Sequence, residues 1–313
     1  MSYAYSEEQF GSYTKLLVLH EESGNEIGIV PEMGARLNRF LVNLHGETVP
    51  AVDGYKTPLE LGKQASAKSS LLAPFPNRVA DGKFTYRNES YQLEINKKKE
   101  HNAIHGFISD QVFTVVSADV VEDFYEIVLE HVSEGAKGYP FAFKTTVTYR
   151  FGGVWLSVDT AVTNLEKTSI PIGFGWHPYF QLTVPIDEVQ LTLPPVERID
   201  VDARLIPTGV TEVYEKFQQP TYIGETEFDT GFHFLSDQRE IQLYDDSHGM
   251  YLTIWMEGEG NNYEYVQLYT PPGRKSIAIE PMTCAADAFN NGMGLKKLAA
   301  HDTFKAQFTI MVS

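Results

Sequence analysis

The chain has 313 residues and a formal net charge of −17, with 42% hydrophobic and 21% charged residues. That balance is globular rather than disordered, and so acidic a surface repels nucleic acid and anionic membranes, so neither is expected as a partner. No apolar run is long enough to cross a bilayer, the opening "MSYAYSEEQFGSY" lacks the basic and apolar regions of a secretory signal, and the one cysteine, Cys284, admits no internal disulfide, so a reducing, cytoplasmic location is expected.

Along the chain, strand-like runs recur: "LLVLHEE" and "ARLNRFLV" come first. Pro58 to Ala67 is the one stretch that reads as a short helix. "KFTYRNESYQLEI" follows as a hairpin, with Phe84 and Tyr86 facing the side of Tyr91, Leu93 and Ile95, and Asn88-Glu89 at the turn. The basic run "NKKKEH", Asn96 to His101, reads as a solvated hairpin tip. Then come "QVFTVVSADVV", "FYEIVLEHV", "FKTTVTYRF", "VWLSVDTAVTN", "SIPIGFGW", "EVQLTLP", "MYLTIWM", "YVQLYT", "SIAIE" and "FKAQFTIMV", separated by Gly, Asn, Asp and Pro turn signals. Many strands without alternating helices predict an all-β sandwich or barrel. With no linker and no internal repeat, residues 1–313 are expected to form one large double-sheet domain. Sheet edges can be covered by loops, so a monomer or weak homo-oligomer is expected.

Four segments place reactive groups in apolar surroundings. "LLAPFPNRVADGKF" sets Asn77 and Arg78 after two prolines, and "HNAIHGF" sets His105 before Gly106. In "PIGFGWHPYFQL", Gly173, Gly175 and His177 alternate with Phe174 and Trp176, so the His177 side carries no bulk and something must approach the backbone closely. In "KSIAIEPMTCAADAFN", Ser276, Ala278 and Glu280 alternate with Ile277 and Ile279, and Pro281 is expected to end the strand just after a desolvated carboxylate. Each has a plain reading beside the chemical one: a hydrogen-bonded core histidine, a loop-capping arginine, a strand-end anchor, an Asx turn at Asp229 in "FDTGFHF". Cys284 reads as inert, and the patternless His101, His131, His233, His248 and His301 as surface or packing residues.

Taken in order, "PFPNRVADGKF", "NAIHGF", "GWHPYFQL", "FDTGFHF" and "AIEPMTCAADAFN" resemble the aldose 1-epimerases, or galactose mutarotases, from about residue 30 to the C-terminus. The resemblance implies a large antiparallel β-sandwich with an open cleft on one sheet. It also implies interconversion of the α- and β-anomers of a free sugar, which needs one base and one acid but no metal or other cofactor. By resemblance Glu280 is the base and His177 the acid. His105 lies near the ring oxygen, Arg78 and Asp229 bind sugar hydroxyls, and Asn77 sits beside them. Near pH 7 this scheme asks for an ionised Glu280 and a partly protonated His177. The chain departs from the galactose-specific members at Phe107, at Gln181 and at Pro281-Met282, all taken here to border the pocket. A non-catalytic sugar-binding protein, a glycoside hydrolase using Glu280 with Asp229, a metal site of His105, His177 and Glu280, and a phosphosugar epimerase drawing on the lysine run are the alternatives.

Overall fold

Two long strands show the alternation at full strength. Phe143, Thr145, Val147, Tyr149 and Phe151 are buried in the strand Phe143–Phe151, and Phe304, Ala306, Phe308, Ile310 and Val312 in Thr303–Val312. Successive side chains point to opposite faces, so each strand offers one apolar face that must be covered. In the computed structural model, which describes residues 2–44, 46–256 and 262–313, both lie in a nine-stranded antiparallel sheet. Its centre runs Phe143–Phe151, Trp155–Asn164, Thr303–Val312, Met250–Trp255.

The cover is an eight-stranded antiparallel sheet. It runs Pro207–Tyr214, Val196–Val201, Asp229–Phe234, Tyr265–Tyr269, Ile277–Met282, Gly175–His177, Ser70–Leu72, with Tyr179–Phe180 also paired to Ile277–Met282. Aromatic rings join the two layers: Trp176 stacks on Phe308 at 4.6 Å and Phe174 meets Phe304 at 5.2 Å. This is the expected all-β sandwich, its core between the sheets. A five-stranded sheet, Tyr3–Phe10 through Glu47–Pro50, is built from the N-terminal segment. Among the described residues no helix is long and apolar enough to cross a membrane.

The sandwich places the chemical segments by period alone. Ile277, Ile279 and Trp176 belong to the main core, so Ala278, Glu280 and His177 fall on the other face of the eight-stranded sheet. The bulk missing at the alternate glycines is filled by the protein itself. A Cβ on Gly173 would lie 2.4 Å from the Cys284 sulfur, and one on Gly175 would lie 2.8 Å from the Pro281 carbonyl oxygen and 3.1 Å from Pro76 Cβ. The close approach inferred from the glycines is therefore made by Cys284, Pro281 and Pro76.

Three local expectations are corrected. The strand does not end at Glu280: pairing with Tyr265–Tyr269 continues through Pro281 to Met282. On its other side no pairing is made between the Gly175–Met282 and Tyr179–Ala278 partners, so the missing N–H of Pro281 is tolerated there. The hairpin turns at Arg87-Asn88, both with positive φ, while Glu89 already pairs with Tyr86. The helix covers only Pro58–Lys63, opened by a Thr57–Glu60 capping box and stopped at Gln64 in the left-handed region.

Gly106 shows how tightly the site is assembled. Its φ is +62°, and an added Cβ would lie 1.9 Å from the Ala73 carbonyl oxygen. Gly106→Ala is expected to cost at least about 3 kcal/mol through this backbone clash. Urea unfolding measures it, and an unchanged midpoint would contradict the packing described.

Candidate active site

The outer face of the eight-stranded sheet carries a cavity of about 560 Å³. Asn77, Arg78, His105, His177, Asp229 and Glu280 all line it, so the structure brings together all six residues nominated from sequence. They come from five separate segments of the chain, and each segment is pinned by its own bonds.

Glu280 and His177 form the floor. His177 Nε2 lies 3.2 Å from Glu280 Oε1, and the two residues are 7% and 2% exposed. Glu280 Oε2 and His177 Nδ1 are buried without a hydrogen-bond partner, an expensive state unless something else fills those bonds. Burial pushes the Glu280 carboxyl well above the usual carboxylate range, the nearby Asp229 adds to this, and Arg78 opposes it. Burial also pulls His177 down to about 3. Desolvation thus favours the uncharged pair, with its proton on the carboxyl. Burial therefore works against the resting charges that the resemblance implies.

His105 stands beside them, its ring 5.3 Å from that of His177 and nearly perpendicular to it. The backbone N–H of Asn77 donates to His105 Nδ1 at 3.3 Å, and the backbone N–H of His105 donates to the Asn77 carbonyl at 2.9 Å. With Nδ1 accepting, the ring proton sits on Nε2. Burial, then His177, Arg78 and Lys97, hold this histidine well below its ordinary pKa, so it is neutral near pH 7. Its left-handed backbone, φ +68°, belongs to the same turn-to-turn contact.

Arg78 and Asp229 close a polar ring. Asn77 Oδ1 accepts from the Arg78 backbone N–H at 2.9 Å and from Nη1 at 3.0 Å, and Asn77 Nδ2 donates to Gln267 Oε1 at 3.2 Å. Gln267 Nε2 donates to Asp229 Oδ1 at 2.8 Å, and Arg78 Nη2 lies 3.6 Å from Asp229 Oδ2. The buried Asp287 accepts from the Ala80 N–H at 2.8 Å, and its own N–H donates to the Arg78 carbonyl at 2.6 Å. That clamp is the structural content of "CAADAFN".

Sequence reasoning missed Gln267 and Tyr179. Gln267 is the cross-strand partner of Glu280, and its alternation with Val266 and Leu268 was a usable signal. The Tyr179 ring stacks on His177 at 5.1 Å and 15°, fixing the imidazole plane. Arg36 was missed too. Fully buried, it donates to the carbonyls of Met33, Lys68 and Ser109 and to Gln64 Oε1, and so holds residues 64–69 as a cleft wall. Gln64, Ser66, Ala67 and Ser69 in that wall all have positive φ.

The lysine run is exposed, as expected of a hairpin tip, yet Lys97 and Glu100 border the cavity. Arg204 ties this rim down through the Glu100 and His101 carbonyls and Asp81. The three departures from galactose-specific sequences scatter. Phe107 packs on Tyr139 and Phe143, Gln181 lines a different cavity of about 390 Å³, and only Met282 reaches space continuous with the site. Among the described residues no three His, Cys, Asp or Glu side chains converge as a metal would require.

A family profile described as aldose 1-epimerase matches residues 16–310. The uncharacterised protein YihR of Escherichia coli K12 is 28% identical over 247 residues, 77% of each chain. Galactose mutarotase of Rattus norvegicus is 32% identical over 146 residues, 45% of this chain and 41% of the rat protein. Among solved structures, a galactose mutarotase-like protein of Clostridium acetobutylicum matches with TM-score 0.89 at 20% identity, over 99% of this chain and 98% of that one. Galactose 1-epimerase of Lactobacillus acidophilus matches with TM-score 0.84 at 15% identity, over 100% and 99%. At such identities the structural matches speak to the fold.

Proposed function

The chain belongs to the aldose 1-epimerase family, and from that premise we propose that it interconverts the α- and β-anomers of a free aldose through the Glu280–His177 pair. The observation that carries this reading is the pair itself: two buried proton-transfer groups in contact at the floor of a cleft, with Glu280 Oε2 left without a partner. A C1 hydroxyl is the partner that this oxygen lacks.

Ring opening removes the proton from the C1 hydroxyl, forms the C1 carbonyl, breaks the bond from C1 to the ring oxygen and protonates that oxygen. In the reactive arrangement Glu280 is the carboxylate that takes the first proton, and His177 is the imidazolium that gives the second. After opening, Glu280 is protonated and His177 is neutral, which is the charge state that burial favours. The neutral pair that burial favours must therefore first become the charge-separated one, and ring opening returns it to the neutral state. Rotation about C1–C2 and reversal of both transfers give the other anomer. Arg78 and Asp229 hold sugar hydroxyls and keep C1 over the pair.

His105 presents an Nε2–H to the substrate and transfers no proton. His105→Asn is expected to lower kcat/KM by about tenfold, the worth of one hydrogen bond, mainly through KM and with the shape of the pH profile kept. If the high-pH fall disappears in His105→Asn and survives in His177→Asn, the two histidines exchange roles.

Polarimetry of freshly dissolved α-glucose, α-galactose and xylose, corrected for spontaneous mutarotation and run with and without a chelator, tests the function. Acceleration unaffected by chelation is expected. Decay at the spontaneous rate with all three sugars would sink the proposal.

A further inference from the structure

The cavity of about 390 Å³ that Gln181 lines shares no lining residue with the active cleft. Pockets of this size take small organic molecules. Glu8, Lys15 and Arg39 reach it from strands of the N-terminal sheet, and the segment 52–56 lines it as well. Gln181 is one of the positions where the chain departs from the galactose-specific pattern, and the proton-transfer scheme makes no use of it.

Lys15 sets this cavity apart. The residue is 3% exposed, and its stem packs over Gly28, where an added Cβ would lie 3.1 Å from Lys15 Cδ. Its ammonium stands 3.9 Å from the centre of the Phe10 ring and 3.9 Å from Glu8 Oε1. Among the described residues no acceptor comes within hydrogen-bond distance of it, a costly state for a buried cation. Burial, and then Arg39, hold Lys15 below its ordinary pKa, and Glu8 and Glu26 only partly oppose them. Glu8 is shared, since it also lies 3.7 Å from Arg39, whose closer partner is Glu26 at 2.6 Å. Asp53, the other carboxylate on the cavity, is taken by Lys68 at 2.7 Å and by the Ser276 hydroxyl at 3.1 Å. Lys56 is exposed at the same cavity and has no ion-pair partner among the described residues.

Two ammonium groups without a bonded carboxylate thus meet one hollow, on a chain whose net charge is −17. The Gln181 backbone N–H is given to the Ala51 carbonyl at 3.2 Å, which leaves its amide to face a ligand. We propose that this cavity is a second ligand site, and that it takes a small phosphate monoester whose phosphate lies between Lys15 and Lys56. Such a group carries about two negative charges near pH 7 and three strong acceptor oxygens, which matches the two cations. A neutral sugar supplies no charge to Lys15, and free phosphate leaves most of the space unfilled.

Calorimetric titration of the full chain with glycerol 3-phosphate tests the site, because this ester is not an aldose and has no anomeric carbon for the cleft. Saturable binding is expected, about tenfold tighter than that of inorganic phosphate or malonate, the worth of one further hydrogen bond, with no binding of glycerol. Lys15→Met keeps the packed stem and removes the charge, and it is expected to weaken binding by about 10- to 100-fold, the worth of one charge-assisted hydrogen bond. Lys56→Ala, at an exposed position, is expected to weaken it by about two- to fivefold, and it decides the matter should Lys15→Met fail to fold. No saturation at millimolar ester overturns the proposal. So does binding of phosphate or malonate as tight as that of the ester, or ester binding unmoved by the folded lysine variants.

Discussion

Glu280→Gln is expected to slow anomer interconversion by about 100- to 10,000-fold, since glutamine keeps the shape and the hydrogen bonds but cannot take the C1 proton. The same change is expected to stabilise the fold near neutral pH. Burial raises the Glu280 pKa above its ordinary 4.5, so the folded state holds this proton where the unfolded chain has released it. The stability linked to that proton is complete below about pH 4.5 and is lost as pH rises through the raised value. Glutamine carries no such titration. The melting temperature of the variant should therefore match that of the parent near pH 4 and exceed it near pH 8, while sugar affinity is nearly unchanged. A variant that retains more than about a tenth of the parent rate removes Glu280 from the role of base. A variant that melts lower at pH 8 shows that the carboxylate is satisfied in the fold and not strained by it.

The second large effect concerns His177. With Glu280 pushed up and His177 pulled down to about 3, the pair holds one proton over a wide range. A second proton adds only in strong acid, at the imidazole end, and the single proton leaves only above the usual carboxylate range. The profile of kcat/KM should be a broad bell whose low limb belongs to the imidazole and whose high limb belongs to the carboxyl. This exchanges the assignment that ordinary pKa values suggest, although both limbs report the coupled pair. His177→Asn is expected to lose about 100- to 10,000-fold in rate. Its residual activity should rise with pH as Glu280 ionises and should show no fall beyond, because no acid remains to be deprotonated. A full bell with near-parent rate in this variant rules out the Glu–His mechanism.

The sequence exposed the faces of the strands but not their neighbours. Glu280 was legible because its alternation with Ile277 and Ile279 put a carboxylate opposite the core, and the structure keeps it there. The alternation of Gln267 with Val266 and Leu268 showed which face it takes, but not that it neighbours Glu280, because that is a matter of register between two strands. The effect of Pro281 was misjudged for the same reason: whether a missing N–H matters depends on which strand lies alongside. Charge states were hidden as well, since desolvation is set by everything packed around a group. Arg36 lay furthest from view. It sits on the Arg36–Leu44 strand of the N-terminal sheet, yet it holds the wall formed by residues 64–69, a link that no local pattern carries.

The contact between Cys284 and Gly173 equips the molecule with a reporter. The chain's single thiol is fully buried under the strand that leads to His177, and burial pushes its pKa up to about 12. A thiol reagent needs both access and thiolate, and the closed protein offers neither. Labelling therefore proceeds only through moments when this part of the sheet lifts away, and its rate counts those openings without any engineered probe. A sugar that binds the closed cleft should lower the labelling rate in proportion to its occupancy, so the protein's one cysteine can register ligands that it does not touch.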